Sequence, residues 1–199
     1  MRKPSIVRSL PAFVVMFAAL LIALLSPSFA RDKNETIDAT AWGTSTQLGK
    51  NVGITIIIYE FSTPEDRQVL VDAFTKGQNQ GLVNALTKMK AVGRIQIPGT
   101  LGYDLAYIRM IPTDTGRKIR FVTNRKIAFG EAYSDSQSMS YNLTAGEVNI
   151  NEKDKNKSDG TLYPAAQLII NKEGQLQFDL NQNAWRLSDI IDWKGTAEN

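Results

Sequence analysis

The sequence predicts an α+β fold: mostly an antiparallel β meander, with a two-helix insertion after the first strand. Three observations lead there. Residues 52–61 (VGITIIIYEF) are a β-branched run with almost no polar relief, as expected of a central strand buried on both faces. Residues 64–92 change to helical spacing, and from Arg94 onward the apolar period is twofold and broken by turn signals. Short connections between such strands imply antiparallel pairing. A strongly bent sheet wrapped on the helices and a lipocalin-sized barrel both satisfy this order.

The helical insertion is well marked. Thr63 can cap, Pro64 suits the first helical position, and Glu65 and Asp66 suit the positive end of the helix dipole. Val69, Leu70, Ala73 and Phe74 share a face, and Gly77 is a natural stop. A second helix is expected over residues 80–92, with Leu82, Leu86 and Met89 on one side and Gly93 at its end.

The strands that follow are expected at residues 94–97, 103–111, 117–123, around Ile127 and Phe129, around Met139 to Leu143, at 162–170 and at 176–180. Asp114-Thr115-Gly116, Ser158-Asp159-Gly160 and Lys172-Glu173-Gly174 supply turns between them. Residues 184–193 fit either period, since Leu187, Ile190 and Ile191 satisfy a strand or a helical turn.

The amino terminus carries the three parts of a secretory signal. Arg2, Lys3 and Arg8 make a basic start, residues 11–25 are uncharged and apolar, and Ser28-Phe29-Ala30 offers small residues for cleavage after Ala30. The apolar stretch is shorter than a spanning helix needs. The expected organisation is a signal peptide at 1–30, a flexible arm at 31–50 and one domain at 51–194. The product is expected to be a soluble periplasmic or secreted protein, without membrane insertion after cleavage.

Composition removes whole classes of chemistry. The chain has no cysteine and no histidine, so thiol nucleophiles, thiolate zinc sites, imidazole ligands and Ser-His triads are all excluded. An exported domain without disulfides points to a bacterial envelope. The net charge of +3 resides in the signal, which holds three of the bases and none of the acids, so the mature chain is formally neutral and nucleic acid is not an expected partner. Glycine-rich phosphate loops are absent and no cofactor is expected. Residues 151–160 have the composition of a calcium loop, but the glycine and closing acid fall in the wrong places, so no metal is expected either.

Strand parity singles out a few ionisable residues. Arg109 is in step with Leu105, Tyr107 and Ile111; Arg125 and Glu131 are in step with Ile127 and Phe129; Glu60 is in step with Ile54, Ile56 and Ile58. Buried charges need partners, so these residues either pair at strand ends or line a polar pocket. In the second case Arg109, Arg125, Glu131, Glu60 and Tyr107 would bind an anionic or sugar-like ligand. Glu60 and Glu131 are weak candidates for a catalytic carboxylate pair. The basic cluster Arg117, Lys118, Arg120, Arg125 and Lys126 is expected to be a solvated strand face.

Several stretches together resemble a family of uncharacterised exported bacterial proteins: Tyr59-Glu60-Phe61-Ser62-Thr63-Pro64-Glu65, Ala85-Leu86-Thr87-Lys88-Met89, Leu101-Gly102-Tyr103-Asp104-Leu105 and Thr123-Asn124-Arg125-Lys126-Ile127-Ala128-Phe129-Gly130-Glu131. The resemblance implies export and a shared fold, and no activity comes with it. The expected function is therefore a non-enzymatic envelope domain that binds a small molecule or an envelope protein. A carboxylate-dependent, glycosidase-like hydrolase using Glu60 and Glu131 is the alternative, followed by a structural or assembly subunit pairing through a sheet edge.

Overall fold

A computed structural model describes residues 34–127 and 141–193, apart from 171, 173, 175, 181 and 182. The signal segment and Glu131 lie outside these described residues. Among the described residues the chain forms ten strands and one long helix. They are β1 (Glu35–Trp42), β2 (Asn51–Ile58), α1 (Pro64–Lys88), β3 (Gly93–Gln96), β4 (Tyr103–Leu105), β5 (Tyr107–Thr113), β6 (Gly116–Thr123), β7 (Leu143–Asn151), β8 (Asp159–Ile170), β9 (Leu176–Leu180) and β10 (Trp185–Asp192).

All ten strands belong to one antiparallel sheet, in the order β4-β3-β2-β1-β10-β8-β7-β6-β5, with β9 added to the end of β8. The terminal strands β4 and β5 are halves of one bent strand, joined at Ala106. The first half pairs with β3 and the second with β6, and Ala106 N–H donates to the Val122 carbonyl (3.2 Å). The sheet therefore curls into a nearly closed barrel.

Ile54, Ile56, Ile95, Leu105, Ile108, Ile119, Phe121 and Leu162 fill its interior. Small residues sit opposite large ones there, as a narrow barrel demands. Ala39 faces Ile54 across β1 and β2, and Gly146 faces Phe121 across β6 and β7.

Two expectations need correction. Residues 34–50 are not a loose arm, because β1 is hydrogen-bonded along both edges, to β2 and to β10. The insertion therefore follows the second strand. The insertion is one element, Pro64–Lys88, kinked at Gly77 and Gln78, both non-helical (Gln78 φ 50°, ψ −146°), so its break falls at the expected stop. Asn79, the first residue after the kink, anchors the second half of the element. Asn79 accepts the Leu168 N–H (2.8 Å) and donates to Asn142 Oδ1 (2.9 Å), so a backbone donor beyond the β7–β8 pairing is satisfied from the helix.

The start of α1 follows the sequence closely. Asp66 N–H donates to Thr63 Oγ1 (3.1 Å), and Thr63 N–H donates to Asp66 Oδ2 (2.8 Å), a reciprocal capping box. Thr63→Ala is expected to lower stability by about 1 kcal/mol in urea unfolding followed by circular dichroism. A change below about 0.3 kcal/mol would show that α1 is held by packing alone.

A buried ion cluster closes one end of the barrel. Arg117 is 5% exposed, forks onto Glu35 (Nη1 to Oε2, 3.0 Å) and reaches Asp192 Oδ2 (2.6 Å). Glu152 stands at 3.8 Å on the exposed side. Arg117 therefore leaves the solvated basic face to which the sequence assigned it, whereas Lys118 and Arg120 remain on the outer face and pair with Glu147.

Candidate functional site

Helix α1 packs on the outer face of the barrel through Leu70, Phe74, Leu82, Val83 and Leu86, which meet Ala106 and Leu143. The contact is incomplete along the first half of the helix. A groove of about 450 Å³ remains there between α1, the floor formed by β5 and β6, and the end of β8. Leu70, Phe74 and Leu82 form its helical wall, and Leu168 and Ile170 form the opposite wall. Tyr107, Arg109 and Arg120 line the floor, and Arg67 lines the helical side.

The groove runs on into a second hollow of about 430 Å³ that shares Tyr107, Arg120 and Leu168 with it. Tyr163 and Phe178 stack there, with ring centres 5.4 Å apart and planes 23° apart. The β8–β9 hairpin that carries Phe178 is clamped by Asp179, whose Oδ2 accepts from Gln167 and from Tyr141, each at 2.8 Å. Gln167 first and Tyr141 second hold the Asp179 carboxyl below its ordinary range.

The electrostatics of the groove are asymmetric. Arg120 is neutralised by Glu147 (2.6 Å). Burial would raise the Glu147 carboxyl, but Lys118 and Arg120 outweigh it and hold that group below the ordinary value. Arg67 and Arg109, in contrast, have no carboxylate partner among the described residues. Both act on the Tyr107 hydroxyl: burial raises that phenol above its usual range, and the two guanidinium groups oppose the rise. Asp66 also acts on Tyr107, but its carboxylate is engaged in the cap of α1. The groove thus joins an apolar channel to two unspent positive charges and a phenol.

Of the residues singled out by parity, the structure brings Tyr107 and Arg109 together in this groove. They reach it by a different route from the one expected. Leu105 and Ile108 are both fully buried, so the bend at Ala106 shifts the phase by one residue and turns Tyr107, Arg109 and Ile111 to the outer face. Glu60 does not line the groove. It lies beyond the end of β2, half-exposed, and pairs with Lys90 (2.8 Å). Arg125 is exposed, beyond the end of β6, and its Nε contacts Asn124 Oδ1 (3.4 Å). The apposition of Glu60 and Glu131 lies outside the described residues.

Residues 151–160 use their side chains to close a hairpin: Asn151 Oδ1 accepts from Lys153 and Asp154, and Asp154 Oδ1 accepts from Asn156. Among the described residues, no group of three or more carboxylates is placed to hold a metal ion, and no helix is long and apolar enough to cross a membrane.

Arg67 was legible and overlooked. It stands three residues before Leu70 and seven before Phe74, so it shares their helical face, as a cation on an apolar stripe. Comparison of the chain with protein-family models, with curated proteins and with solved structures finds no match in any of the three.

Proposed function

We propose that the domain is an exported, non-enzymatic binding module that takes a small anionic amphiphile in the groove between α1 and the barrel. The observation that carries this reading is the pair Arg67 and Arg109, two guanidinium groups without a carboxylate partner among the described residues, set beside the apolar Leu70-Phe74-Leu168 channel. Both guanidinium groups are exposed at the rim of the apolar channel, so an anion bound there would pair with them while its apolar part displaced water from the channel. The groove volume lies within the ordinary range for small-molecule sites, about 300–1,000 Å³. Export rests on residues 1–30 and on the resemblance to exported bacterial proteins. Intact mass of protein from its own host is expected to place the mature amino terminus at Arg31.

The binding reading is tested with two dyes of similar apolar body, anilinonaphthalene sulfonate and the uncharged phenylnaphthylamine. The sulfonate dye is expected to bind the wild type, and Arg67→Glu/Arg109→Glu to weaken it by about tenfold or more, the loss of at least one charge-assisted contact. Binding of the uncharged dye should survive the change. Equal sulfonate affinity in both proteins would remove the groove as an anion site.

A further inference from the structure

The seam between β1 and β10, on strands that do not line the groove, carries a second feature. Trp42, at the end of β1, and Trp193, just beyond β10, both lie on the outer face, 37% and 45% exposed. Neither indole is free to turn. Trp42 Nε1 donates to Ser188 Oγ (2.8 Å), and Ser188 Oγ donates to Asp189 Oδ2 (2.9 Å). Trp193 Nε1 donates to Asp38 Oδ2 (2.8 Å), whose other oxygen accepts from Thr55 (2.6 Å). Each indole is thus backed by a carboxylate.

A β-bulge makes this possible. Three residues of β1, Asp38 to Thr40, face four of β10, Ile191 to Ser188, and the extra residue, Asp189, holds φ 51°. A positive φ at a non-glycine residue is costly and tends to occur where the chain aims a side chain. Ser188 faces Thr40, and Asp38 lies two residues further along β1, so the two anchoring points are separated by about 7 Å along the strand.

We propose that this face is a binding platform for a neutral, extended glycan. The chemistry of the face selects that occupant. Its aromatic rings are pre-oriented, which lowers the entropy cost of stacking. Beside the exposed Ile191, which faces Asp38, stand Thr40, Thr55 and Ser188, hydroxyls that interrupt the apolar surface. Both indole N–H groups are consumed internally, whereas a tryptophan at a lipid interface presents its polar end to headgroups. Asp38 and Asp189 oppose polyanions such as nucleic acid. A sugar chain supplies what remains: C–H faces for the rings, and hydroxyls that donate to the spare lone pairs of the carboxylates.

The test uses the whole mature protein. Of the three tryptophans in the sequence, the third, Trp185, is 3% exposed and reports on the fold, so intrinsic fluorescence separates platform from core. In affinity electrophoresis, hydroxyethylcellulose or soluble xylan is expected to retard the protein, and the same polymers to shield it from acrylamide quenching. Trp42→Ala and Trp193→Ala should each weaken retention by about tenfold, as for a central stacking residue. Trp42→Tyr should restore part of it. Unchanged emission from Trp185 in each variant verifies folding. Absence of retardation by both neutral polymers would overturn the proposal. So would retention by anionic alginate alone, by anionic phospholipid vesicles alone, or by self-association that the alanine variants abolish.

Discussion

Arg117→Ala is expected to lower the free energy of unfolding by about 3–5 kcal/mol, measured as a fall in the urea midpoint. The size follows from what the change leaves behind. Glu35 is buried beside the guanidinium, so removing the cation strands its carboxylate at the closed end of the barrel and also takes the 2.6 Å contact from Asp192. Arg117→Lys should recover only part of the loss, because an ammonium cannot fork onto Glu35 and reach Asp192 in the same plane. Replacing all three residues together by apolar ones of similar volume should cost far less than the single change, since no uncompensated charge remains. If Arg117→Ala stays within about 1 kcal/mol of wild type, the cluster is wetter and weaker than its burial indicates.

The second large effect is expected between β6 and β7. Phe121 is 1% exposed, and its ring occupies the space that a side chain at Gly146 would need: a Cβ there would overlap Phe121 Cζ. Phe121→Ala should cost about 3–5 kcal/mol by opening a cavity in the interior. Gly146→Ala should cost about 1–3 kcal/mol by forcing the ring aside. The two together should cost clearly less than their sum, by about 0.5 kcal/mol or more, because the added methyl enters the cleared space. Strict additivity in that double-mutant cycle would place the ring elsewhere.

The strong β run of β2, the capping box of α1 and the β5–β6 and β8–β9 hairpins were legible because each is a local pattern of residues bearing on its own backbone, whereas β7 (Leu143–Asn151) was expected only as far as Leu143. β1 was not legible. Asp38, Ala39 and Ala41 have little strand character, and the strand is held by pairing with both neighbours, with Ala39 and Ala41 filling an interior already occupied by large side chains. Parity failed at two places for one reason. The bend at Ala106 and the extra residue Asp189 each move the phase by one, which misdirected Arg109 inward and left Leu187 and Ile190 on a helical spacing. Arg117 shows the opposite case: it is in step with Ile119 and Phe121, so strand parity alone marks it as facing the interior. The groove was half legible, through Tyr107 and Arg109. Its other half comes from α1, and no local pattern says which strands a helix will cover.

Because β10 is the neighbour of β1, the two ends of the domain meet: Trp193 N–H donates to the Thr36 carbonyl (2.9 Å), and the Asp38–Trp193 bond joins residues 155 apart in sequence. Barrel closure is thus the final act of a chain that emerges amino terminus first. Until residues 185–192 appear, β1 presents an open edge of unpaired peptide groups. Such a long-range closure folds slowly. Until then the edge of β1 is open to pairing with any other single strand, another copy of the chain included.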